Sequence, residues 1–148
     1  MFLNQTSHYV LRAMTGLVIT DSSNPLSSRE LAETTDVPSH YLSKIMRKLV
    51  EAGYVDSQKG HGGGFVLTKS PDEIRIIDVL IAGGFDMEDQ PCVFGWDQCS
   101  DHKPCPLHPV WKRLKESFKD WAYNTTFEDV RRENKLLIDD KFTKQSDE

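Results

Sequence analysis

Several features that mark other protein classes are missing from this sequence. Cysteine is scarce: there are 3 in 148 residues, and all of them lie between positions 92 and 105. No apolar run approaches the roughly 20 residues of a membrane-spanning helix, which excludes a transmembrane segment. The first residues lack a basic region followed by an apolar stretch, so no secretion signal is predicted and a cytoplasmic location is expected. A reducing compartment argues against a structural disulfide and for metal or redox chemistry.

An excess of basic residues is also absent. The chain has 18 Lys and Arg against 23 Asp and Glu, a net charge of −5, whereas nucleic-acid-binding domains are usually basic. Only a local positive surface could therefore bind nucleic acid. The sequence contains neither a C-x-x-C motif nor a nucleophile–base arrangement, so an enzyme, such as a small redox protein with a reactive cysteine, is disfavoured.

The three cysteines stand at the spacing C-x6-C-x5-C, and a histidine follows the last one. Glycine, proline and polar residues between them predict a loop. Thiolates and imidazole together are typical ligands of a metal ion or cluster. A metal or cluster site is therefore the favoured interpretation of this loop. The alternatives are three small buried hydrophobic residues, or a disulfide with a spare thiol. The candidate ligands are Cys92, Cys99, Cys105 and His108.

The first half of the chain predicts a helix-turn-helix. Apolar periodicity predicts a helix over residues 5–20, and Ser27 or Ser28 caps a short second helix with Glu30 as a capping-box partner. A third helix over residues 38–52 has a basic outer face, as expected of a helix that enters the DNA major groove. An ordinary corner between two helices, with a solvated charged face, is the alternative.

Two strand-like runs follow, over residues 54–58 and 65–68, and the glycine-rich segment between them predicts a hairpin. A hairpin directly after a helix-turn-helix is a wing. A helix opening at Pro71 and ending at Gly83 would complete a compact DNA-binding domain over residues 1–84. The local positive surface of this domain consists of Lys44, Arg47, Lys48 and Lys59.

A long helix, Pro106–Asn124, is predicted after the cysteine loop of residues 85–108. Large apolar residues recur along it at intervals of 4, 3, 4 and 3, which is a heptad seam. A seam between two copies of the helix is favoured over a core of its own. A short helix would complete a dimerisation segment over residues 106–137, and a tail over 138–148 is expected to be disordered. The fold class is thus mainly α with a small β-hairpin wing: a winged helix-turn-helix domain plus a long dimerisation helix.

Short motifs along the chain carry a family likeness. They are Tyr9-Val-Leu-Arg-Ala13, Ser28-Arg-Glu-Leu-Ala32, Val37-Pro-Ser-His-Tyr-Leu42, Leu49-Val-Glu-Ala-Gly53, Gly60-His-Gly-Gly-Gly64, the cysteine loop and Thr126-Phe-Glu-Asp-Val130. Through them the chain resembles the IscR/NsrR-type (Rrf-type) winged helix-turn-helix regulators of bacteria. The resemblance implies a homodimeric transcription factor, often a repressor, that binds double-stranded promoter DNA. Its dimer would form through the helix Pro106–Asn124, and it would sense iron–sulfur, nitric oxide or redox status.

The resemblance also implies an iron–sulfur cluster held by Cys92, Cys99 and Cys105. The favoured fourth ligand is His108, which matches the histidine ligand of IscR-like members. The alternative is His8 of the partner chain, at a position where NsrR-like members have an acidic residue. A [2Fe–2S] cluster is favoured and a [4Fe–4S] cluster is possible. The first cysteine spacing is one residue longer than is usual in the family. A zinc site or a thiol switch without a cluster is the alternative function of the loop.

The predicted DNA contacts lie on the second helix, the third helix and the wing. The third helix would supply the direct contacts, and Lys48, Lys59 and His61 would contact the DNA backbone. The residues are Ser28, Ser39, His40, Tyr41, Ser43, Lys44, Arg47, Lys48, Lys59 and His61.

Overall fold

A computed structural model describes residues 3–20, 24–96 and 100–133. Cys99 and the predicted tail at 138–148 lie outside these ranges. None of the helices in the described ranges is long and apolar enough to cross a membrane. In chain order, the elements are α1 (Gln5–Thr20), α2 (Ser28–Thr35), α3 (Ser39–Glu51), β1 (Val55–Gln58), β2 (Gly64–Leu67), a 3-10 turn (Pro71–Glu73), α4 (Ile76–Ala82) and α5 (His108–Asn124). The mainly α fold with a two-stranded wing is confirmed.

Helix α2 begins and ends at residues that satisfy its terminal backbone groups. The hydroxyl of Ser27 accepts a hydrogen bond from the Glu30 amide at 3.2 Å, and the Glu30 carboxylate accepts one from the Ser27 amide at 2.8 Å. This is the predicted capping box. Asp36 ends the helix in the left-handed conformation, with φ of 55°. The chain can therefore turn at once into α3.

The wing is an antiparallel hairpin in which Val55 pairs with Leu67 and Gln58 pairs with Gly64. Leu26, two residues before α2, pairs with the wing: its amide donates to the Phe65 carbonyl at 3.1 Å, and the Phe65 amide donates to the Leu26 carbonyl at 2.7 Å. The wing is thereby fixed to the start of α2.

Helix α4 begins later than predicted. Pro71 opens only a 3-10 turn, and Ile74 is extended, with φ of −114° and ψ of 114°. The reason is a pairing with residues distant in sequence. The Phe127 amide donates to the Ile74 carbonyl at 2.9 Å, and the Ile76 amide donates to the Thr125 carbonyl at 2.9 Å. Ile81 on the outer side of α4 is 54% exposed.

The core extends beyond residue 84. Ala122 and Phe127 are fully buried in the same cluster as Val10 of α1 and Leu80 of α4. The prediction that the core is complete at Gly83–Gly84 is therefore corrected: residues around the end of α5 close it. Helix α5 also begins at His108 and not at Pro106, because residues 105–108 form a turn in which the His108 amide donates to the carbonyl of residue 105 at 3.0 Å.

Candidate functional site

Helix α3 presents a polar face to solvent. Its buried side consists of Leu42, Ile45, Met46 and Leu49, and these residues pack into the core. The exposed side carries three cations, Lys44, Arg47 and Lys48, in a chain whose net charge is negative. This side has the local positive charge that phosphate contacts require. The predicted contact residues of α3 that are exposed are Ser39, His40, Ser43, Lys44, Arg47 and Lys48.

Tyr41 and Lys48, both predicted contact residues of α3, also contact other helices of the chain. The half-buried ring of Tyr41 lies 5.0 Å from the ring of Tyr9, edge to face, and 5.2 Å from that of His40. The Nζ of Lys48 donates to the Gly83 carbonyl at 3.3 Å, at the C-terminal end of α4. Lys48 is thus engaged with α4.

The remaining predicted contacts lie beside α3 on α2 and the wing. Ser28 is exposed at the first turn of α2, which packs against α3. Lys59 and His61 are exposed at the tip of the hairpin, where the Gly63 amide donates to the Gly60 carbonyl at 3.0 Å.

The cysteine loop runs back to the beginning of α5. Cys92 is buried and Cys105 is half-buried, and both are free thiols in the part of the chain that the structure describes. The indole Nε1 of Trp111 donates to the Pro91 carbonyl at 3.3 Å, which fixes the residue before Cys92 against α5. The turn into α5 joins Cys105 directly to His108. The segments that contain Cys92 and Cys105 therefore both contact the first turns of α5.

His108 is buried at this end of α5, with only 8% of its surface exposed. Its Nε2 lies 2.8 Å from Oδ1 of Asp101, and the Nζ of Lys112 lies 3.1 Å from both oxygens of the same carboxylate. The hydrogen bond with His108, and to a lesser degree the one with Lys112, holds the pKa of Asp101 below its usual range. Asp101 was not predicted. The only sequence signal for it is that His108 and Lys112 stand four residues apart, on one helix face.

The donor set has the chemistry of a soft metal site. Thiolates and imidazole are ligands of both iron–sulfur clusters and zinc. Within residues 3–20, 24–96 and 100–133, no three His, Cys, Asp or Glu side chains are grouped closely enough to hold a metal ion. The third thiol, Cys99, lies outside those ranges. His8, the alternative ligand, is half-buried on α1.

Helix α5 carries apolar residues on two sides. Phe118 packs inward, with its ring 5.9 Å from that of Phe85. Leu114 and Trp121 are 52% and 48% exposed, and Leu107 and Val110 are comparably exposed. Part of the predicted heptad seam thus belongs to the core, and part forms an exposed apolar face.

Comparison with known proteins agrees with this architecture. The Rrf2 family, described as iron-dependent transcriptional regulators, has a family model that matches residues 3–133. The chain is 32% identical over 132 residues to an HTH-type transcriptional regulator of Aquifex aeolicus, covering 88% of this chain and 91% of that protein. It is 27% identical over 137 residues to the regulator IscR of Vibrio campbellii, covering 93% and 81%.

A solved structure is similar along nearly the same length. It is CymR of B. subtilis, described as a global cysteine regulator, with a TM-score of 0.73 and 26% identity over 88% of this chain and 95% of that one. With winged helix-turn-helix geometry, a family model and relatives all in agreement, the chain belongs to the Rrf2 family of transcriptional regulators, which bind DNA and are not enzymes.

Proposed function

We propose that this protein is a bacterial regulator, of the repressor kind, that senses iron–sulfur, nitric oxide or redox status through a cluster on its cysteine loop. The observation that carries the proposal is that the segments of Cys92 and Cys105 both contact the first turns of α5. Trp111 holds the segment of Cys92 there, and a turn joins Cys105 to His108. The iron-dependent description of the family and the relatives named IscR support it.

Cys92, Cys99, Cys105 and His108 are the proposed ligands, with His8 of a partner chain as the alternative to His108. A bound cluster, [2Fe–2S] by preference and [4Fe–4S] otherwise, would supply one-electron redox chemistry and a centre open to nitric oxide. Three thiolates keep such a centre anchored to the loop. One imidazole raises its reduction potential relative to a site with thiolates alone.

The fold gives the loop a route to the DNA-binding surface. Phe85, where the loop begins, is buried between the core and Phe118 of α5. Two residues earlier, the Gly83 carbonyl accepts the hydrogen bond from Lys48 of α3. Release of the thiolate ligands would therefore loosen a segment that is tied to both α5 and the recognition helix α3. We propose that this changes the placement of α3 on DNA.

DNA contact is proposed for the exposed polar side of α3, with Ser28 on α2 and the wing tip beside it. Residues at the N-terminal end of α3 would meet base edges in the major groove, and Lys59 and His61 of the wing would contact the DNA backbone. Lys48 is left out of this set because its amino group has an acceptor on α4. The proposed contacts are Ser28, Ser39, His40, Tyr41, Ser43, Lys44, Arg47, Lys59 and His61.

A homodimer is proposed through the exposed apolar face of α5. Large apolar side chains at heptad spacing on a solvent-exposed helix are typical of a seam between two helices. Leu114→Asp, which places a charge in the middle of this face, should convert the dimer to a monomer in sedimentation velocity. Glu116→Lys alters charge on the opposite side of α5 and should leave the dimer intact. A Leu114→Asp protein that sediments as a dimer would exclude this interface.

The decisive experiment is anaerobic purification with iron, sulfide and zinc determination, followed by absorption spectroscopy. We expect iron and sulfide in stoichiometric amounts and a visible absorption band that is lost on addition of nitric oxide. Cys92→Ser and Cys105→Ser should abolish the band. Colourless protein with stoichiometric zinc would overturn the cluster proposal and favour a zinc site. Metal-free protein whose DNA binding responds to thiol oxidation would favour a thiol switch.

A further inference from the structure

The contact between Asp101 and His108 determines which atom of the imidazole can act as a ligand. The side chain of His108 is 10% exposed, whereas that of Asp101 is 65% exposed. The carboxylate therefore lies on the solvent side of a largely buried ring. It contacts the ring at Nε2, with a distance of 2.8 Å.

Elementary hydrogen-bond chemistry fixes the roles of the two ring nitrogens. An ionised carboxylate only accepts hydrogen bonds, and a neutral imidazole has one N–H donor and one acceptor nitrogen. In the neutral imidazole, which is the form that binds a metal, the nitrogen next to Asp101 must therefore carry the proton. This makes Nε2 the donor and Nδ1 the nitrogen with the lone pair that a metal requires.

Lys112 fixes the carboxylate in turn. Its Nζ lies 3.1 Å from both Oδ1 and Oδ2 of Asp101. His108 and Lys112 are one turn apart on α5, so a single helix orients both partners of Asp101. The side chains thus form a chain of contacts from Lys112 through Asp101 to His108. Of these three residues, only His108 is a predicted ligand.

We infer that Asp101 is a positioning residue that holds His108 with Nε2 protonated, so that Nδ1 is the ligand atom of the proposed cluster site. Histidine ligands commonly donate their second N–H to a carboxylate, which fixes the ring and strengthens the metal bond. The inference rests on the proposed function, because it assigns the ligand atom of that site. It also favours His108 over His8 as the fourth ligand.

The first test uses the metal-free protein, so it does not depend on the cluster. ¹⁵N NMR of the histidine side chains, with His108→Asn to assign the signals, reports which nitrogen is protonated. We expect the Nε2–H tautomer of His108 in the wild type and a mixture of tautomers in Asp101→Ala. Glu88→Ala is the matched control, since Glu88 is a carboxylate 3.6 Å from another α5 lysine, Lys119. An identical tautomer in wild type and Asp101→Ala would overturn the inference.

The second test uses the iron-loaded protein under anaerobic conditions. Asp101→Ala should bind iron about 10–100-fold more weakly, shift the reduction potential and alter the ¹⁴N coupling of histidine in pulsed EPR of the reduced protein. Asp101→Glu should restore these values in part, and Glu88→Ala should match the wild type.

The outcomes separate the two proposals. Protein that takes up no iron and sulfide would overturn the proposed function and the positioning role with it. A cluster whose ¹⁴N signal is lost in His108→Ala, but which Asp101→Ala leaves unchanged, would overturn the positioning role alone. A ¹⁴N signal lost in His8→Ala and kept in His108→Ala would also overturn it, while leaving a cluster sensor in place.

Discussion

The Nζ of Lys48 donates a hydrogen bond to the Gly83 carbonyl at 3.3 Å and so joins α3 to the C-terminal end of α4. A cation at a helix C-terminus is favourable because it meets carbonyl groups that lack partners within the helix. Lys48→Met should lower the free energy of unfolding by about 1 kcal/mol through loss of this contact. Urea unfolding measures that loss. The salt dependence of DNA binding should not change; a slope reduced by about one would instead show that Lys48 contacts a phosphate.

The cations on the exposed side of α3 should behave differently. Lys44→Ala and Arg47→Ala should each weaken DNA binding and, if they contact phosphate, lower the slope of log affinity against log salt by about one. Binding is measured on DNA selected from a random library by the wild type. Lys119→Ala removes a cation from α5 and is the matched control. Equal effects of Lys44→Ala and Lys119→Ala would mean that general charge, and not α3, determines affinity.

Phe127 should contribute strongly to stability although it follows the DNA-binding elements in sequence. It is fully buried in the common core, and its amide bonds to Ile74. Phe127→Ala should cost about 3–5 kcal/mol in the free energy of unfolding, because it leaves a cavity. Val93→Ala, at a side chain that is 43% exposed, should cost far less. A small effect of Phe127→Ala would mean that residues 3–84 form a core without it.

The wing offers a paired comparison of glycines. A Cβ at Gly64 would lie 2.8 Å from the Ser27 amide nitrogen and closer still to the Leu26 carbonyl, whereas a Cβ at Gly62 has no atom within 4 Å. Gly62→Ala should cost about 1 kcal/mol from its positive φ of 73° alone. Gly64→Ala should cost more and should weaken DNA binding by displacing the wing. Equal melting temperatures for the two variants would contradict this packing.

Acid should weaken the connection at the end of α5. The Asp129 carboxylate accepts hydrogen bonds from the backbone amide and the hydroxyl of Thr126. These bonds, the backbone one above all, hold the pKa of Asp129 below its usual range. A carboxyl group whose pKa is lower in the folded state than in the unfolded state stabilises the fold at pH values above its unfolded pKa of about 4. That stabilisation is lost as the pH falls through the folded-state pKa. Asp129→Asn should therefore be less stable at pH 7, and its stability should fall less than that of the wild type from pH 5 to pH 3. Parallel stability curves would contradict this role.

Features set by neighbouring residues could be predicted from the sequence. The bounds of α1, the capping box of Ser27 and Glu30, and the glycine-rich hairpin all follow from local patterns. The start of α4 could not, because the extended backbone at Ile74 depends on pairing with Phe127, more than fifty residues later.

The same limit applies to the candidate site. Cysteine spacing pointed to Cys92, Cys105 and His108, but nothing local indicates that Asp101 contacts the imidazole or that Trp111 fixes the residue before Cys92. For Lys48, the sequence suggested a contact to which the structure adds a competing partner. Its sequence position on a basic helix face suggested a phosphate contact, and only the packing of α3 on α4 gives it another acceptor.

The burial of Phe127 has a consequence for biosynthesis. A chain still emerging from the ribosome cannot complete the core that its first 84 residues share until residue 127 has been made, because the fully buried Phe127 side chain belongs to that core. By then Cys92, Cys99 and Cys105 have all been translated. A nascent chain therefore has all of its proposed cysteine ligands before the core of its first 84 residues is complete.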